Sequence, residues 1–125
     1  MTKDRRELTI FGTLFALGTA LHAYEFLLGE LRDTWFFFWS MLPYVVCVVL
    51  TVLSRTAVLT IAATAVVLLL DTLTHYEVFV NPRGSTAALA LLWTPLWNTI
   101  IFVPGVMVIT RLIVRKRGIS NLHAL

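Results

Sequence analysis

The stretch WFFFWSMLPYVVCVVLTVL, residues 35 to 53, decides the fold class of this chain. It carries no charge, and its length is close to the roughly 20 apolar residues that a helix needs to cross a bilayer core about 30 Å thick. Three stretches of similar character surround it, at residues 8 to 29, 57 to 80 and 86 to 114. The sequence therefore predicts an all-α, polytopic membrane protein with four transmembrane helices.

The composition supports the same fold class. Hydrophobic residues make up 58% of the chain and charged residues only 14%, which excludes an ordinary soluble globular domain. Outside the four stretches, the longest piece is the basic C-terminal tail, residues 115 to 125, which is too short to bury a core of its own. We therefore expect a single membrane domain over residues 1 to 125.

The positions of the basic residues indicate how the helices cross the membrane. The chain carries 10 Lys and Arg against 7 Asp and Glu, a net charge of +3. If the helices alternate in direction, all the basic residues except Arg32 and Arg83 fall on one side. The positive-inside rule then predicts an up-down-up-down bundle with cytoplasmic N and C termini, in a bacterial inner membrane or a plasma membrane. Since topology accounts for the positive charge, no nucleic-acid partner is predicted.

A cleaved signal peptide is the competing interpretation of the first stretch. Basic residues precede it, and Gly18 and Ala20 lie near a candidate cleavage point. The apolar run continues past that point through Phe26 and Leu28, which is longer than the usual h-region of about 7 to 15 residues. We therefore expect a retained helix, which completes an even number of spans.

Four ionisable residues lie inside the apolar stretches, towards the end that the topology places outside. His22 and Glu25 are three residues apart, and Asp71 and His75 are four apart, so each pair lies on one face of its own helix. An ionisable residue near the membrane centre costs about 2.5 to 3.5 kcal/mol on insertion scales, so it is by default a candidate functional group. We expect the two pairs to meet at one level of the bundle and to form the ligand-binding or ion-binding site.

Three interpretations of this cluster follow from its chemistry. In the first, hydrogen bonds between imidazoles and carboxylates hold the first and third helices together without any ligand. In the second, His22, Glu25, Asp71 and His75 bind a divalent metal such as zinc, iron, manganese or nickel, or pass protons. In the third, one imidazole from each helix ligates a b-type haem. A di-iron site is disfavoured, because the order of His22 and Glu25 is reversed relative to a Glu-x-x-His pair and carboxylates are few.

Other polar residues at membrane depth are candidates for lining a cavity. Thr94 and Asn98 lie close to Pro95, which removes a backbone hydrogen bond and favours a kink. Thr64 lies on the Asp71 face of the third helix, on a polar stripe that the spacing turns away from lipid. Together with Tyr44, these threonines and Asn98 are predicted to line a cavity.

The function that the sequence favours is one carried out through contacts between helices. The small residues Gly12, Ala16, Ala20 and Ala23 share one face of the first helix, where another helix can approach closely. We expect an accessory or structural component that acts through helix contacts in the lipid bilayer, in a homo-oligomer or a larger membrane complex. The alternatives are a transporter-like protein that binds a divalent cation or protons, and a haem b redox subunit. No nucleophile lies beside a base at catalytic spacing, so an enzyme would be confined to an intramembrane acid-base site.

Overall fold

The computed structural model describes residues 3–28, 33–54, 57–82, 84 and 87–123, and all the regular structure in these ranges is helical. The connections that carry Arg32, Arg55 and Arg83 lie outside the described residues. The helices are α1 (Lys3–Leu28), α2 (Thr34–Ser54), α3 (Val58–His75), α4 (Ala87–Trp97) and α5 (Val103–His123). A π-helical turn, Tyr76–Val80, extends α3, and a second, Asn98–Phe102, joins α4 to α5.

Among the described residues, four helical spans are long and apolar enough to cross a membrane, which confirms the predicted all-α class and the number of candidate spans. They are Asp4–Leu27, Thr34–Ser54, Val58–Val80 and Leu89–Gly118. Buried polar side chains are about as numerous as buried apolar ones, while large apolar side chains such as Phe38 and Leu53 point outward. In a bilayer, lipid tails would solvate such side chains, and close packing and polar contacts would hold the helices together.

Two helix ends differ from the sequence prediction. α1 begins at Lys3, before the apolar stretch, and α5 continues through most of the predicted tail as far as His123. Lysine and arginine are good helix formers, and positive charge near a helix C-terminus interacts favourably with the helix dipole. The basic segment after residue 114 therefore continues α5 and does not form a separate non-helical tail.

Both π-helical turns precede a proline. The Asn81 N–H donates to Tyr76 O at 2.9 Å, and Pro82 follows. The Val103 N–H donates to Asn98 O, and Pro104 follows. Since proline has no N–H and its ring crowds the carbonyl four residues earlier, a wider turn relieves the clash. The fourth span was predicted to be kinked at Pro95, but α4 continues through this proline, and the helix is interrupted by a widened turn that begins at Asn98.

α2 and α3 form the centre of the bundle, with α1 packed on one side of them and the α4–α5 span on the other. Residues near the end of α1 contact residues near the end of α3, and the beginning of α2 contacts the beginning of α4 through Trp39 and Leu92. On the small-residue face of α1, Gly12, Ala16 and Ala20 are exposed in the described chain, and a Cβ at Gly12 would meet nothing within 4 Å. A close approach occurs instead at Gly18, which faces α2.

Candidate functional site

The four predicted site residues form one continuous series of contacts. His75 Nδ1 lies 2.6 Å from Glu25 Oε1, and Glu25 Oε2 lies 3.1 Å from His22 Nδ1. His22 Nε2 in turn lies 3.1 Å from Asp71 Oδ2. The two same-helix pairs thus meet between α1 and α3, as their spacing predicted. We call the set His22, Glu25, Asp71 and His75 the outward cluster.

Asp71 is the point at which all four spans meet. Besides His22 from α1, it accepts a hydrogen bond from the Tyr44 hydroxyl of α2, 2.8 Å from Oδ2. It accepts another from the Asn98 amide of the fourth span, 2.8 Å from Oδ1. The Tyr44 hydroxyl and the Asn98 amide donate to this carboxyl group, and the His22 imidazole shares a proton with it. Asp71 is therefore contacted by one side chain from each of the other spans.

Local sequence features aim these side chains at Asp71. On α3, Thr60, Thr64 and Val67 are fully buried on the same stripe as Asp71, which confirms the predicted seam. On α1, Gly18 leaves the space for the Tyr44 ring, because a Cβ at this position would overlap three ring carbons. On the fourth span, Asn98 begins the π-helical turn, and such turns re-aim side chains relative to a regular helix.

Access to the outward cluster is asymmetric. His22, Glu25 and Asp71 are each exposed by only 6 to 7%, whereas 21% of the His75 side chain is exposed. His75 is also the last residue of α3, directly before the π-helical turn. A proton or a small ion that reaches the series from outside would therefore meet His75 first and Asp71 last.

A cavity of about 10 Å³ adjoins the buried members of the cluster. This volume suits about one water molecule, which needs two to four polar partners. Its walls contain His22, Glu25, Ser40, Asp71, Thr74, Leu91, Thr94 and Pro95. The hydroxyls and carboxylates among them supply enough partners, so the cavity has the size and polarity of a single-water site.

The contacts of His22 fix a minimum number of protons. Both ring nitrogens face carboxylate oxygens, and an ionised carboxylate only accepts hydrogen bonds. A neutral imidazole donates through one nitrogen only, so the two contacts need one further proton. It resides on His22, making an imidazolium, or on Glu25 or Asp71. Together, His22, Glu25 and Asp71 therefore carry one proton more than a neutral imidazole and two ionised carboxylates would carry.

Metal ligation would require this arrangement to open. Among the described residues, no three His, Cys, Asp or Glu side chains surround a common point where a metal could bind. Both nitrogens of His22 are paired with carboxylates, so ligation of a metal or of haem iron by His22 would break one of these contacts. The metal and haem b interpretations of the cluster stay predictions, which metal analysis and an absorption spectrum of the purified protein test.

The residues predicted to line a cavity have different positions in the structure. Thr94 lies on the wall of the small cavity, near Thr74. Tyr44 and Asn98 are buried donors to Asp71, and Thr64 is buried on the α3 seam, where its hydroxyl donates to Thr60 O.

The sequence analysis did not connect Tyr44 or Asn98 with Asp71. A signal was available, because the hydroxyl of a tyrosine or the amide of an asparagine needs a partner at membrane depth. This need for a partner does not identify Asp71, since Asp71 lies 27 residues from both Tyr44 and Asn98 in the chain.

At the other end of the bundle, where α2 ends and α3 begins, the two helices are joined by uncharged groups. The hydroxyls of Thr51 on α2 and Thr60 on α3 lie 2.6 Å apart and are buried. The Thr51 hydroxyl also approaches Cys47 O at 2.8 Å, within its own helix. Neutral hydroxyl contacts thus join these helices at one end, and ionisable groups join them at the other.

Comparisons of this chain with protein families, with curated proteins and with solved structures find no match.

Proposed function

We propose that this chain is a proton-binding, transporter-like protein of a bacterial inner membrane or a plasma membrane, with both termini on the cytoplasmic side. The basic residues at the start of α1 and along the end of α5, including Lys3, Arg111 and Arg115, support this orientation through the positive-inside rule. In this orientation, the outward cluster opens towards the external face. Protons enter at His75 and reach Asp71 through Glu25 and His22, and a change in helix packing at Asp71 then releases them towards the cytoplasmic side.

The observation that carries this proposal is the position of His22 between two carboxylates. Its two contacts share one proton that can reside on any of three groups, and the contacts to Glu25 and Asp71 have equal lengths of 3.1 Å. Moving that proton requires no large displacement of a side chain. An imidazole with a carboxylate at each nitrogen is therefore suited to receive a proton at Nδ1 and release one at Nε2.

The environment of Asp71 supports a second protonation state. Asn98 Oδ1 is buried and has no hydrogen-bond partner among the described residues, while its amide nitrogen donates to Asp71 Oδ1. If Asp71 becomes protonated at Oδ1, rotation of the Asn98 amide places its oxygen where it accepts that proton. Both forms of the carboxyl group can thus be hydrogen-bonded at the same site.

The contrast between the two ends of the bundle also favours more than a packing role. The Thr51–Thr60 contact joins α2 and α3 without any charge. Ionisable groups are costly at membrane depth, by about 2.5 to 3.5 kcal/mol each near the centre. A chain that needed only helix contacts could use hydroxyls throughout, so four ionisable groups in series support proton binding.

The proposal is tested by proton flux into liposomes that contain the purified protein and an enclosed pH-sensitive dye. A potassium gradient with valinomycin supplies the driving potential. We expect uptake by the parent protein to exceed that of protein-free liposomes, and Asp71→Asn to lower the protein-dependent rate at least tenfold. His75→Gln should also lower it, because the partly exposed entry group is lost.

Glu77→Gln is the matched control, since this carboxylate is exposed on the turn that follows α3 and does not belong to the cluster. It should retain the parent rate. Equal rates in the parent and in a folded Asp71→Asn variant, or a parent rate equal to that of protein-free liposomes, would overturn the proposal.

A second candidate is the accessory or structural component, which acts through helix contacts in a homo-oligomer or a larger complex. The observation that favours it is the convergence of side chains from the other three spans on Asp71. It predicts that Asp71→Asn mainly weakens folding or association. A flux measurement on the folded variant therefore separates the two functions.

A further inference from the structure

The cytoplasmic end of the bundle carries an apolar groove with two arginines at its mouth. Its outer part, a cavity of about 460 Å³, is lined by Val58, Leu59, Arg111, Val114 and Arg115. Its inner part, of about 340 Å³, is lined by Leu50, Leu59, Pro104, Met107, Val108 and Arg111. Because the two parts share Leu59 and Arg111, they form one continuous groove between α3 and α5. We call it the inner groove.

The dimensions of the inner groove match one leaflet of a bilayer. From Pro104 to Arg115, α5 rises about 16 Å at 1.5 Å per residue. Half of a hydrocarbon core about 30 Å thick is about 15 Å. One acyl chain along the groove would therefore extend from the level of Arg115 nearly to the middle of the membrane.

The charges at the mouth of the groove have no carboxylate partner among the described residues. Arg111 and Arg115 are one helical turn apart on the same face of α5, and neither forms an ion pair with a described carboxylate. Arg111 also lies one turn inside the last apolar stretch, ahead of Leu112, Ile113 and Val114. A guanidinium at that depth needs an anion, and a phosphate fits its fork of N–H donors.

We propose that the inner groove binds one anionic phospholipid of the cytoplasmic leaflet. The lipid phosphate is held by Arg111 and Arg115, and one acyl chain lies along Leu59, Met107 and Val108. The neighbouring Lys116 and Arg117 do not line the groove, whereas Arg111 and Arg115 do. The site therefore differs from a general attraction between a basic segment and an anionic surface, in which all four residues would contribute alike.

Native mass spectrometry of the delipidated protein in detergent tests this site. The protein is titrated with phosphatidylglycerol, and separately with phosphatidylcholine that carries the same acyl chains. We expect one tightly bound phosphatidylglycerol and weaker binding of phosphatidylcholine. A basic residue near the surface contributes roughly fivefold in affinity, so Arg111→Gln should weaken phosphatidylglycerol binding at least that much.

Lys116→Gln is the matched control, since it removes one positive charge one residue from Arg115 without altering the groove. It should leave the first binding step within about twofold of the parent. Leu59→Trp tests the apolar half of the site, because a larger side chain obstructs the groove while both arginines remain. It should weaken binding of the first lipid severalfold, and helical circular dichroism confirms that each variant is folded.

Two results would overturn this assignment. Equal losses in Arg111→Gln and Lys116→Gln would mean that only the overall charge attracts the lipid. Unchanged binding in Leu59→Trp would mean that no acyl chain occupies the groove. The proton-binding proposal does not depend on either outcome, because the outward cluster lies at the opposite end of the bundle.

Discussion

Gly18 gives the sharpest test of how the outward cluster is assembled. In the structure, a Cβ at Gly18 would overlap the Tyr44 ring, whose hydroxyl donates to Asp71 at 2.8 Å. In the same helix, a Cβ at Gly12 would meet nothing within 4 Å. Gly18→Ala and Gly12→Ala therefore make the same chemical change on α1, in a crowded place and in an open one.

The expected difference follows from three contributions. Replacing glycine by alanine inside a helix favours the helix by about 1 kcal/mol, and this contribution is common to both variants. Overpacking typically costs about 1 to 3 kcal/mol, and a side-chain hydrogen bond between membrane helices is worth about 0.6 to 1.7 kcal/mol. If the displaced Tyr44 ring loses its bond to Asp71, Gly18→Ala should be less stable than Gly12→Ala by about 2 to 5 kcal/mol.

The measurement is reversible unfolding in mixed micelles with increasing dodecyl sulfate, followed by circular dichroism. Gly12→Ala should unfold at the same fraction of dodecyl sulfate as the parent or at a higher one, and Gly18→Ala at a clearly lower fraction. In a Tyr44→Leu background the ring is absent, so the added methyl at Gly18 should cost little. If Gly18→Ala and Gly12→Ala unfold together, Tyr44 does not lie against α1 and the geometry around Asp71 is wrong.

Two further predictions concern contacts away from the cluster. Thr51→Val and Thr60→Val should each lower the free energy of unfolding by about 0.6 to 1.7 kcal/mol, and the double variant should lose little more than either single one. Thr72→Val, on the exposed face of α3, is the control, and additive losses in the double variant would show that the 2.6 Å contact between the hydroxyls does not form. Trp39→Phe should destabilise the junction of α2 and α4 by about 1 kcal/mol, because the indole N–H that donates to Leu92 O at 2.9 Å is lost. This is measured by the same unfolding titration, and an unchanged midpoint would contradict the contact.

The distribution of polar groups gives the two ends of the bundle different properties. The neutral Thr51–Thr60 contact has no titratable group, so a change of pH leaves it intact. The outward cluster combines two imidazoles and two carboxylates that approach one another from α1 and α3. Its protonation state therefore affects helix packing at that end of the bundle, and leaves the Thr51–Thr60 end unchanged.

Sequence periodicity predicted the members of the cluster because a helix fixes which residues share a face. Because they are three and four residues apart, His22 and Glu25 share one helix face and Asp71 and His75 share another, independently of the tertiary structure. The buried stripe on α3 follows from the same rule, and the structure places its residues in the core. The ends of α1 and α5 were predicted less well, since helix formation does not stop where hydrophobicity stops.

Taken alone, the sequence determined the four apolar spans, their order and the polar face of α3, because these depend only on local composition and helical geometry. Only the tertiary structure decided that Asp71 takes donors from Tyr44 and Asn98 as well as from His22. These contacts depend on how each helix is rotated and how far it is shifted along its neighbours. Rotation and shift are set by the space at Gly18 and by the widened turn at Asn98, which involve several helices at once.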